Sequence, residues 1–207
     1  MRKIISLAVV ALLASSMSAQ TIANMKDLNA EKKSAAINLK LTGTLTTTKN
    51  SDFRQLRDLC WQLRNLDLSE ATCPVLPKNA FHSRHHLQHI ILPNQLQEIG
   101  TQAFFACDNL QEVVIPKSVT KVGAAAFSGC KSLKTITIEG APEIGEFSFA
   151  NLEGVQVIRV NSNIPPKAAA TAFSGVNMRG VKLVMPRGSE KAYRKAQGWQ
   201  AFFGEVK

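Results

Sequence analysis

A repeat of 23 residues constrains what this chain can fold into more than any other feature of the sequence. Residues 87–93 recur as residues 110–116 and, more loosely, as residues 133–139, and each run has apolar residues at its first, fourth and sixth positions. A second repeated segment lies between the runs, at residues 99–104 and 122–127. One unit this short cannot bury its apolar side chains alone, so we expect successive units to stack as the coils of a solenoid.

Two columns of apolar residues should face the interior of such a stack. Each run of seven residues is a short strand, and parallel strands of neighbouring coils lie about 4.8 Å apart. The strands predict one vertical row, formed by Ile90, Val113, Ile136 and Ile158. The second repeated segment predicts a row of aromatic rings on the convex side of the core, formed by Phe81, Phe104, Phe127, Phe149 and Phe173.

The amino terminus has the composition of a secretory signal peptide. A basic patch at residues 2–3 precedes an apolar run at residues 4–13 and small residues at 14–19. The apolar run falls well short of the ~20 residues that a bilayer-spanning helix needs. We therefore predict that residues 1–19 are removed on export, that no membrane span remains, and that the protein is secreted, periplasmic or displayed at the cell surface.

The rest of the chain divides into three predicted segments. Residues 20–36 form a leader and partial N-terminal cap, residues 37–188 form the solenoid, and residues 189–207 form a C-terminal cap. Apolar residues spaced three and four apart predict one amphipathic helix inside the solenoid, with Ser51 or Asp52 as its N-cap. Its apolar face would consist of Phe53, Leu56, Leu59 and Cys60.

The C-terminal segment abandons the repeat and predicts a second helix. Ser189 is its expected N-cap and Gly198 its expected end. An open end of a solenoid exposes apolar surface, which a terminal cap must cover. The side chains predicted to form this lid are Tyr193, Trp199, Phe202 and Phe203.

With these residues in view, the chain resembles the BspA-like leucine-rich-repeat proteins, a family of exported bacterial proteins. The resemblance spans residues 37–207 and implies a secreted or surface-displayed binding protein, associated with adhesion to host matrix proteins and cells, without catalytic residues. Arg84 and Gly180 depart from the family pattern, because other coils have a thiol or aliphatic residue and a strand-opening leucine there. The resemblance is carried by residues 66–69 with 76–81, residues 110–130, and residues 185–189 with Tyr193 and residues 198–199.

The repeats and the resemblance together predict an α/β fold. We expect a right-handed leucine-rich-repeat solenoid of five to six coils, because strand–crossover–parallel-strand units wind right-handed. A parallel sheet should form its concave face, short helical turns its convex face, and a helical segment its C-terminal cap.

The sequence offers little support for metal or catalytic chemistry. All four histidines lie within residues 82–89, but a zinc site needs three or four converging ligands, and His89 should point to the opposite side from His82, His85 and His86. We therefore predict exposed turn histidines, no metal and no cofactor. No common hydrolase or phosphate-binding motif is present. The competing hypothesis is a glycan-binding or envelope-associated enzyme of the hydrolase type.

The four cysteines leave two possibilities open. Cys107 and Cys130 occupy one column on adjacent coils, so they could form a disulfide in an oxidising compartment. A column of small buried thiols is the favoured interpretation, because aliphatic residues fill the same position in later coils. Whether Cys60 and Cys73 pair is left open.

The outward-facing strand positions are the remaining candidate for function. Positions three and five of each strand should face away from the core, and grouped apolar residues on such a face often mark interaction sites. We predict that a protein or glycan binds non-covalently to this concave face. The predicted partner-binding residues are Asp67, His89, Ile91, Glu112, Val114, Thr135, Thr137, Val157, Arg159, Lys182 and Val184.

The charge of the mature chain is compatible with an acidic partner such as an anionic glycan, lipopolysaccharide or an acidic host protein, but a solvated surface with no partner behind it is the favoured interpretation. Loss of Arg2 and Lys3 leaves 23 basic against 15 acidic residues, a net charge of +8, and the basic residues do not cluster into one run. Nucleic acid is not the expected partner outside the cytoplasm, although a basic excess often indicates it. We expect a monomer.

Overall fold

Parallel strands stack coil upon coil into a solenoid of about six turns in the computed structural model. The structure describes residues 21–47 and 51–204. The predicted signal peptide lies outside these residues, so its removal stays a prediction. The division of the chain into leader, solenoid and cap also stays a prediction.

Twelve strands of the described residues form three parallel sheets of four strands each. The first sheet contains β1 (Thr21–Ala23), β2 (Asn38–Thr44), β3 (Asn65–Thr72) and β5 (His89–Ile91). The second sheet contains two-residue strands, which are β4 (Val75–Leu76), β6 (Glu98–Ile99), β8 (Lys121–Val122) and β10 (Glu143–Ile144). The third sheet contains β7 (Glu112–Ile115), β9 (Thr135–Ile138), β11 (Val157–Val160) and β12 (Lys182–Val184).

Alternation along each long strand separates the core from the surface. In β7, Val113 and Ile115 are buried, whereas Glu112 and Val114 are partly exposed. Val113 and Ile158 both pair with Ile136 in the ladder of the third sheet, which confirms that part of the predicted vertical row. Ile90 belongs to the first sheet instead, where it pairs with Leu66.

The predicted phenylalanine column is confirmed as one continuous stack of buried rings. The ring of Phe127 lies 4.9 Å from that of Phe104 and 5.4 Å from that of Phe149, with interplanar angles of 7° and 5°. The stack is longer than predicted, because Phe53 packs edge-on against Phe81 and Trp199 packs edge-on against Phe173. Aromatic rings therefore connect the coils from one end of the solenoid to the other.

Hydrogen bonds between coils hold this stack in place on the return side. The amide N–H groups of Phe81, Phe104 and Phe127 each donate to a carbonyl of the next coil at 2.7 Å. The residues Gln102 and Ala106, which flank Phe104, have positive φ angles of 55° and 53°. Left-handed residues interrupt a right-handed helix, so these segments are hydrogen-bonded turns where short helical turns were predicted.

Three α-helices and three short 3-10 helices complete the described chain. The α-helices are α1 (Ala30–Ala35), α2 (Asp52–Leu59) and α3 (Glu190–Lys195), and the 3-10 helices are Met25–Asp27, Met178–Gly180 and Gln200–Phe203. The segment predicted as a leader thus contains β1 and α1, and Thr21 of β1 pairs with Leu39 of β2. A weak helical pattern gave no indication of this strand.

Helix α2 begins as the sequence predicts. The Ser51 hydroxyl accepts a hydrogen bond from the Arg54 amide at 3.2 Å, which is the geometry of an N-cap. The carboxylate of Asp52 instead accepts a hydrogen bond from the Thr46 amide at 2.8 Å. Phe53, Leu56 and Cys60 are buried, but Leu59 is 41% exposed, so its predicted place on the apolar face is wrong.

The C-terminal segment covers the open end of the stack with two fully buried aromatic rings. The Tyr193 hydroxyl donates to the Ser162 carbonyl at 2.9 Å, and the Trp199 indole donates to the Pro166 carbonyl at 2.8 Å. Burial raises the pKa of Tyr193 to about 12. Ser189 precedes α3, but its hydroxyl donates to the Pro186 carbonyl and caps no helical amide.

Candidate binding surface

The outward-facing side chains of the long strands form two rows that follow the strand register. Pairing across the sheets places these residues side by side on one face, which we call the outer face. The first row contains Asn38, Asn65, His89, Glu112, Thr135, Val157 and Lys182. The second row contains Lys40, Asp67, Ile91, Val114, Thr137, Arg159 and Val184. All eleven predicted partner-binding residues lie in these rows; that they bind a partner stays a prediction.

The ladder of the outer face is interrupted between β5 and β7, which belong to different sheets. A single amide hydrogen bond from Gln111 to the Gln88 carbonyl, at 3.0 Å, joins the two coils where these strands approach. The Nδ1 atom of His89 is buried without a hydrogen-bond partner, and it lies 4.0 Å from a carboxylate oxygen of Glu112. Burial lowers the pKa of His89, and the nearby Glu112 carboxylate opposes that shift.

Polar and charged side chains in the amino-terminal part of the outer face pair with one another. Lys40 donates a hydrogen bond to Glu70 at 2.5 Å and lies 4.0 Å from Asp67. The hydrogen bond to Glu70 raises the pKa of Lys40, which keeps it charged. The amide of Asn65 donates to the side-chain oxygen of Asn38.

The apolar residues of the outer face are only partly exposed. Ile91, Val114, Val157 and Val184 point away from the core as predicted, but their neighbours shield a part of each side chain. The most exposed large apolar side chains lie elsewhere and were missed from the sequence, and the largest exposed fractions are 72% for Ile164 and 52% for Trp61. No periodic pattern marks these two positions.

The histidines contact different partners. The His82 ring stacks on Phe105 at 5.0 Å, and the Nδ1 atom of His85 lies 2.9 Å from an Asp108 carboxylate oxygen. Within residues 21–47 and 51–204, no three histidine, cysteine or acidic side chains converge as a metal site would require.

All four cysteines are free, buried thiols. The thiol of Cys107 donates to the Phe81 carbonyl at 3.0 Å, and that of Cys130 donates to the Phe104 carbonyl at 3.1 Å. Burial raises the pKa of Cys130, and it raises those of Cys60 and Cys73 to about 11. Since the thiolate is the reactive form, these environments favour packing over nucleophilic chemistry.

The hydrogen bonds of Arg84 explain why an arginine occupies this position, where other coils have a thiol or an aliphatic residue. Its guanidinium donates to the carbonyls of Arg57 and Cys60, at 2.5 and 2.9 Å, and so satisfies two carbonyls at the end of α2. Partial burial lowers the pKa of Arg84. Among the coils in residues 51–204, this is the one in which an eight-residue helix precedes the column, and the long side chain of Arg84 reaches the carbonyls at the end of that helix.

The basic charge of the chain is concentrated at its carboxyl end, which the absence of a single basic run in the sequence concealed. Residues 154–204 contain eight Lys and Arg but one acid, Glu190. The described residues before Gly154 contain thirteen basic and thirteen acidic residues, so they are neutral overall. A count by segment would have revealed this asymmetry, whereas a search for basic runs did not.

No helix among the described residues has both the length and the apolar character needed to cross a bilayer. The geometry of the outer face and the charge of the carboxyl end are the two features that bear on function.

Comparisons with known proteins identify the repeat. The model of the BspA type leucine rich repeat region matches six copies over residues 74–191. Among proteins with curated descriptions, no significant sequence match is found.

Solved structures support the same fold. The pneumococcal vaccine antigen PcpA is similar with a TM-score of 0.55 and 18% identity over 86% of this chain, which corresponds to 38% of the PcpA chain. The T. pallidum leucine rich repeat protein TpLRR is similar with a TM-score of 0.53 and 22% identity, over 80% of this chain and 85% of its own. At these identities the likeness concerns the fold alone. The family match covers more than half of the sequence, and this chain therefore belongs to the BspA type leucine-rich-repeat family.

Proposed function

We propose that this protein is an exported, non-catalytic binding protein that holds a protein partner on its outer face. The observation that carries the proposal is the register of the long strands, which gathers side chains from six strands, β3 to β12, onto one face. A partner would therefore meet two ladders of side chains, one on β3 and β5 and one on β7 to β12, whose spacing is fixed by the backbone within each ladder. Repeat solenoids commonly use such faces for recognition.

The centre of the face provides the apolar contact that a protein interface needs. Ile91 and Val114 are partly exposed on the second row, and Thr137 follows Val114 in register. Interface cores are depleted of charge, and their charged residues lie at the rim. The charged residues Asp67 and Arg159 flank this centre on the same row, which matches that arrangement.

The placement of reactive side chains supports a role without catalysis. His82 and His85 contact separate partners, all four thiols are buried, and burial raises the pKa values of Cys60 and Cys73. The proteins of this family are typically interaction scaffolds. Export rests on the predicted signal peptide, and adhesion rests on the family resemblance.

The proposal is tested by placing acids at the centre of the face. The double variant Ile91→Asp/Val114→Asp should weaken binding to immobilised extracellular-matrix proteins at least tenfold, because two carboxylates would be desolvated in the interface. The control Val75→Asp/Ile164→Asp makes the same chemical change away from the outer face. Binding is measured by surface plasmon resonance, and circular dichroism confirms folding.

Three results would contradict the proposal. Binding that survives Ile91→Asp/Val114→Asp would exclude the centre of the outer face. Equal losses in both double variants would mean that net charge, rather than this surface, determines binding. Turnover of a polysaccharide or peptide that a point mutation abolishes would favour an enzyme instead.

A further inference from the structure

We propose that the carboxyl end of the outer face binds an anionic polysaccharide, through a site formed by Arg159, Lys182 and Arg187. This inference rests on the proposed binding role but concerns a different part of the surface from Ile91 and Val114. Three observations support it: the segregation of charge, the absence of paired carboxylates, and a groove with an apolar floor.

Because basic residues are concentrated at this end, it has a positive electrostatic field that the neutral part of the molecule lacks. Residues 154–204 have a net charge of +7, whereas the described residues before them are neutral. Like charges on one surface repel each other and persist only at a cost to the folded state. A ligand that brings the opposite charge would relieve that repulsion.

The three cations of the site are available to a ligand. Arg159, Lys182 and Arg187 are exposed, and none of them forms an ion pair with another described residue. The one acid of this end, Glu190, already pairs with Arg194 at 2.7 Å. Anionic groups of a ligand would therefore meet three cations that no carboxylate already pairs.

The strand register places Arg159 and Lys182 on one surface, and Arg187 follows the end of β12. Val157 pairs with Lys182, and Arg159 pairs with Val184 on the neighbouring strand. Arg159 and Lys182 are thus diagonal neighbours on adjacent strands of one face, within reach of a single extended ligand.

A groove of about 450 Å³ extends this surface towards the C-terminal cap. Lys182 and Arg187 line it, and Val184 and Met185 add apolar residues to the lining. Glu190 also lines the groove, but its carboxylate is paired with Arg194. Phe203 lines the groove on the cap side, where the Arg194 guanidinium lies 4.5 Å from its ring centroid. Cations beside apolar area suit a sugar chain, whose rings have apolar faces and whose carboxylates or sulfates project outward.

A protein partner is the less suitable occupant here. Specific protein interfaces bury about 800 Å² on each side around a core depleted of charge, whereas this end presents exposed cations around a narrow groove. A thin polyanion carries its charges on the outside and can pair with each cation without burying a large area. We therefore assign the sugar chain to this end and the protein partner to the centre of the face.

Binding of heparin and of hyaluronan to the chain from residue 20 to residue 207 tests the assignment, with heparin as the sulfated probe and hyaluronan as the carboxylated one. Isothermal titration at 50 and 200 mM NaCl should show at least one of them binding, with affinity falling roughly 20- to 40-fold, as release of counterions at three contacts requires. The triple variant Arg159→Gln/Lys182→Gln/Arg187→Gln should lose at least tenfold in affinity at 50 mM NaCl.

The matched control is Arg64→Gln/Lys117→Gln/Lys134→Gln, which removes the same charge from exposed positions of the neutral part. We expect less than a twofold loss in this control. Equal losses in both triple variants would overturn the site, because binding would then follow net charge alone.

Three further outcomes test the ligand class and the independence of this site from the protein-binding face. The variant Ile91→Asp/Val114→Asp should bind the polysaccharide normally, so loss of the protein partner would leave this inference standing. Polyglutamate binding as tightly as the tighter polysaccharide would overturn the assignment to a sugar chain in favour of an acidic polypeptide. Failure of both heparin and hyaluronan to bind would overturn the inference without affecting the proposed protein partner.

Discussion

The coils between Val75 and Leu152 and the end between Gly154 and Gly204 share one interior and differ in their surfaces. The ring of Phe149 lies 5.4 Å from Phe127 in the neutral part and 5.5 Å from Phe173 in the basic end, so the stack crosses the boundary unchanged. The surface changes from an equal number of acids and bases to a net charge of +7. Because each coil contacts only its neighbours, the surface of one region can specialise without altering the packing of the other.

Close backbone approach depends on the individual glycine and occurs in both regions. A Cβ added at Gly123 in the central coils would lie 2.5 Å from the Thr101 nitrogen, and one added at Gly154 in the basic end would lie 2.5 Å from the Lys131 carbonyl oxygen. One added at Gly180 would meet only a side chain, at 3.4 Å. The spacing of coils therefore depends on particular glycines in both regions, and the aromatic lid is the packing feature that distinguishes the carboxyl end.

Disrupting the interior that the two regions share should have the largest effect on the stability of the protein. Phe127→Ala removes a fully buried ring stacked on both sides, and we expect a loss of about 3–5 kcal/mol in the free energy of unfolding. Phe147→Ala serves as the control, because that ring is 45% exposed. Urea denaturation measures both, and similar losses would mean that the stack does not connect the two regions.

The difference in backbone approach between individual glycines predicts a second, smaller effect. Gly123→Ala forces the backbones of two coils apart, and we expect a loss of roughly 1–3 kcal/mol in the free energy of unfolding. Gly145→Ala should cost less, since its nearest contact would be 3.0 Å, and Gly180→Ala should change stability by less than about 0.5 kcal/mol. Urea denaturation measures all three, and a loss at Gly180 as large as that at Gly123 would mean that backbone approach does not determine the cost.

The charge difference predicts the smallest effect, and it should be confined to one region. Salt screens the repulsion among exposed cations, because the Debye length falls from about 30 Å at 0.01 M to about 8 Å at 0.15 M. Raising the salt concentration over that range should increase hydrogen-exchange protection in residues 154–204 and leave the neutral coils unchanged. Equal changes in both regions would indicate that the segregated charge has no local consequence.

Some features of the fold could be predicted from the sequence, and others could not. The column from Phe81 to Phe173 and the alternation in β7 were predictable, because a fixed period and a strand pattern of two determine which side chains face inward. The left-handed conformations of Gln102, Ala125 and Phe147 were not predictable, because these residue types rarely hold a positive φ. Hydrogen bonds between coils impose that conformation, and they exist only once neighbouring turns are stacked.

The candidate binding surface was predictable in part. The eleven predicted residues do fall into two rows of one face, since outward positions follow from the strand pattern. The role of Arg84 required the structure, because its partners Arg57 and Cys60 lie 24 or more residues away in the chain. The groove beside Lys182 also required it, because Phe203 reaches that strand only through the folded cap.

The sequence by itself determined that this chain is a stack of equal coils with aliphatic and aromatic columns inside, because the periodicity of the repeat specifies which positions are buried. Only the tertiary structure decided where the sheet is interrupted and which partners the thiols and histidines contact. It also decided how the basic residues of the last coils meet on one surface. The physical reason is that burial is encoded locally in each repeat, whereas contacts between side chains of different coils depend on the register in which those coils stack.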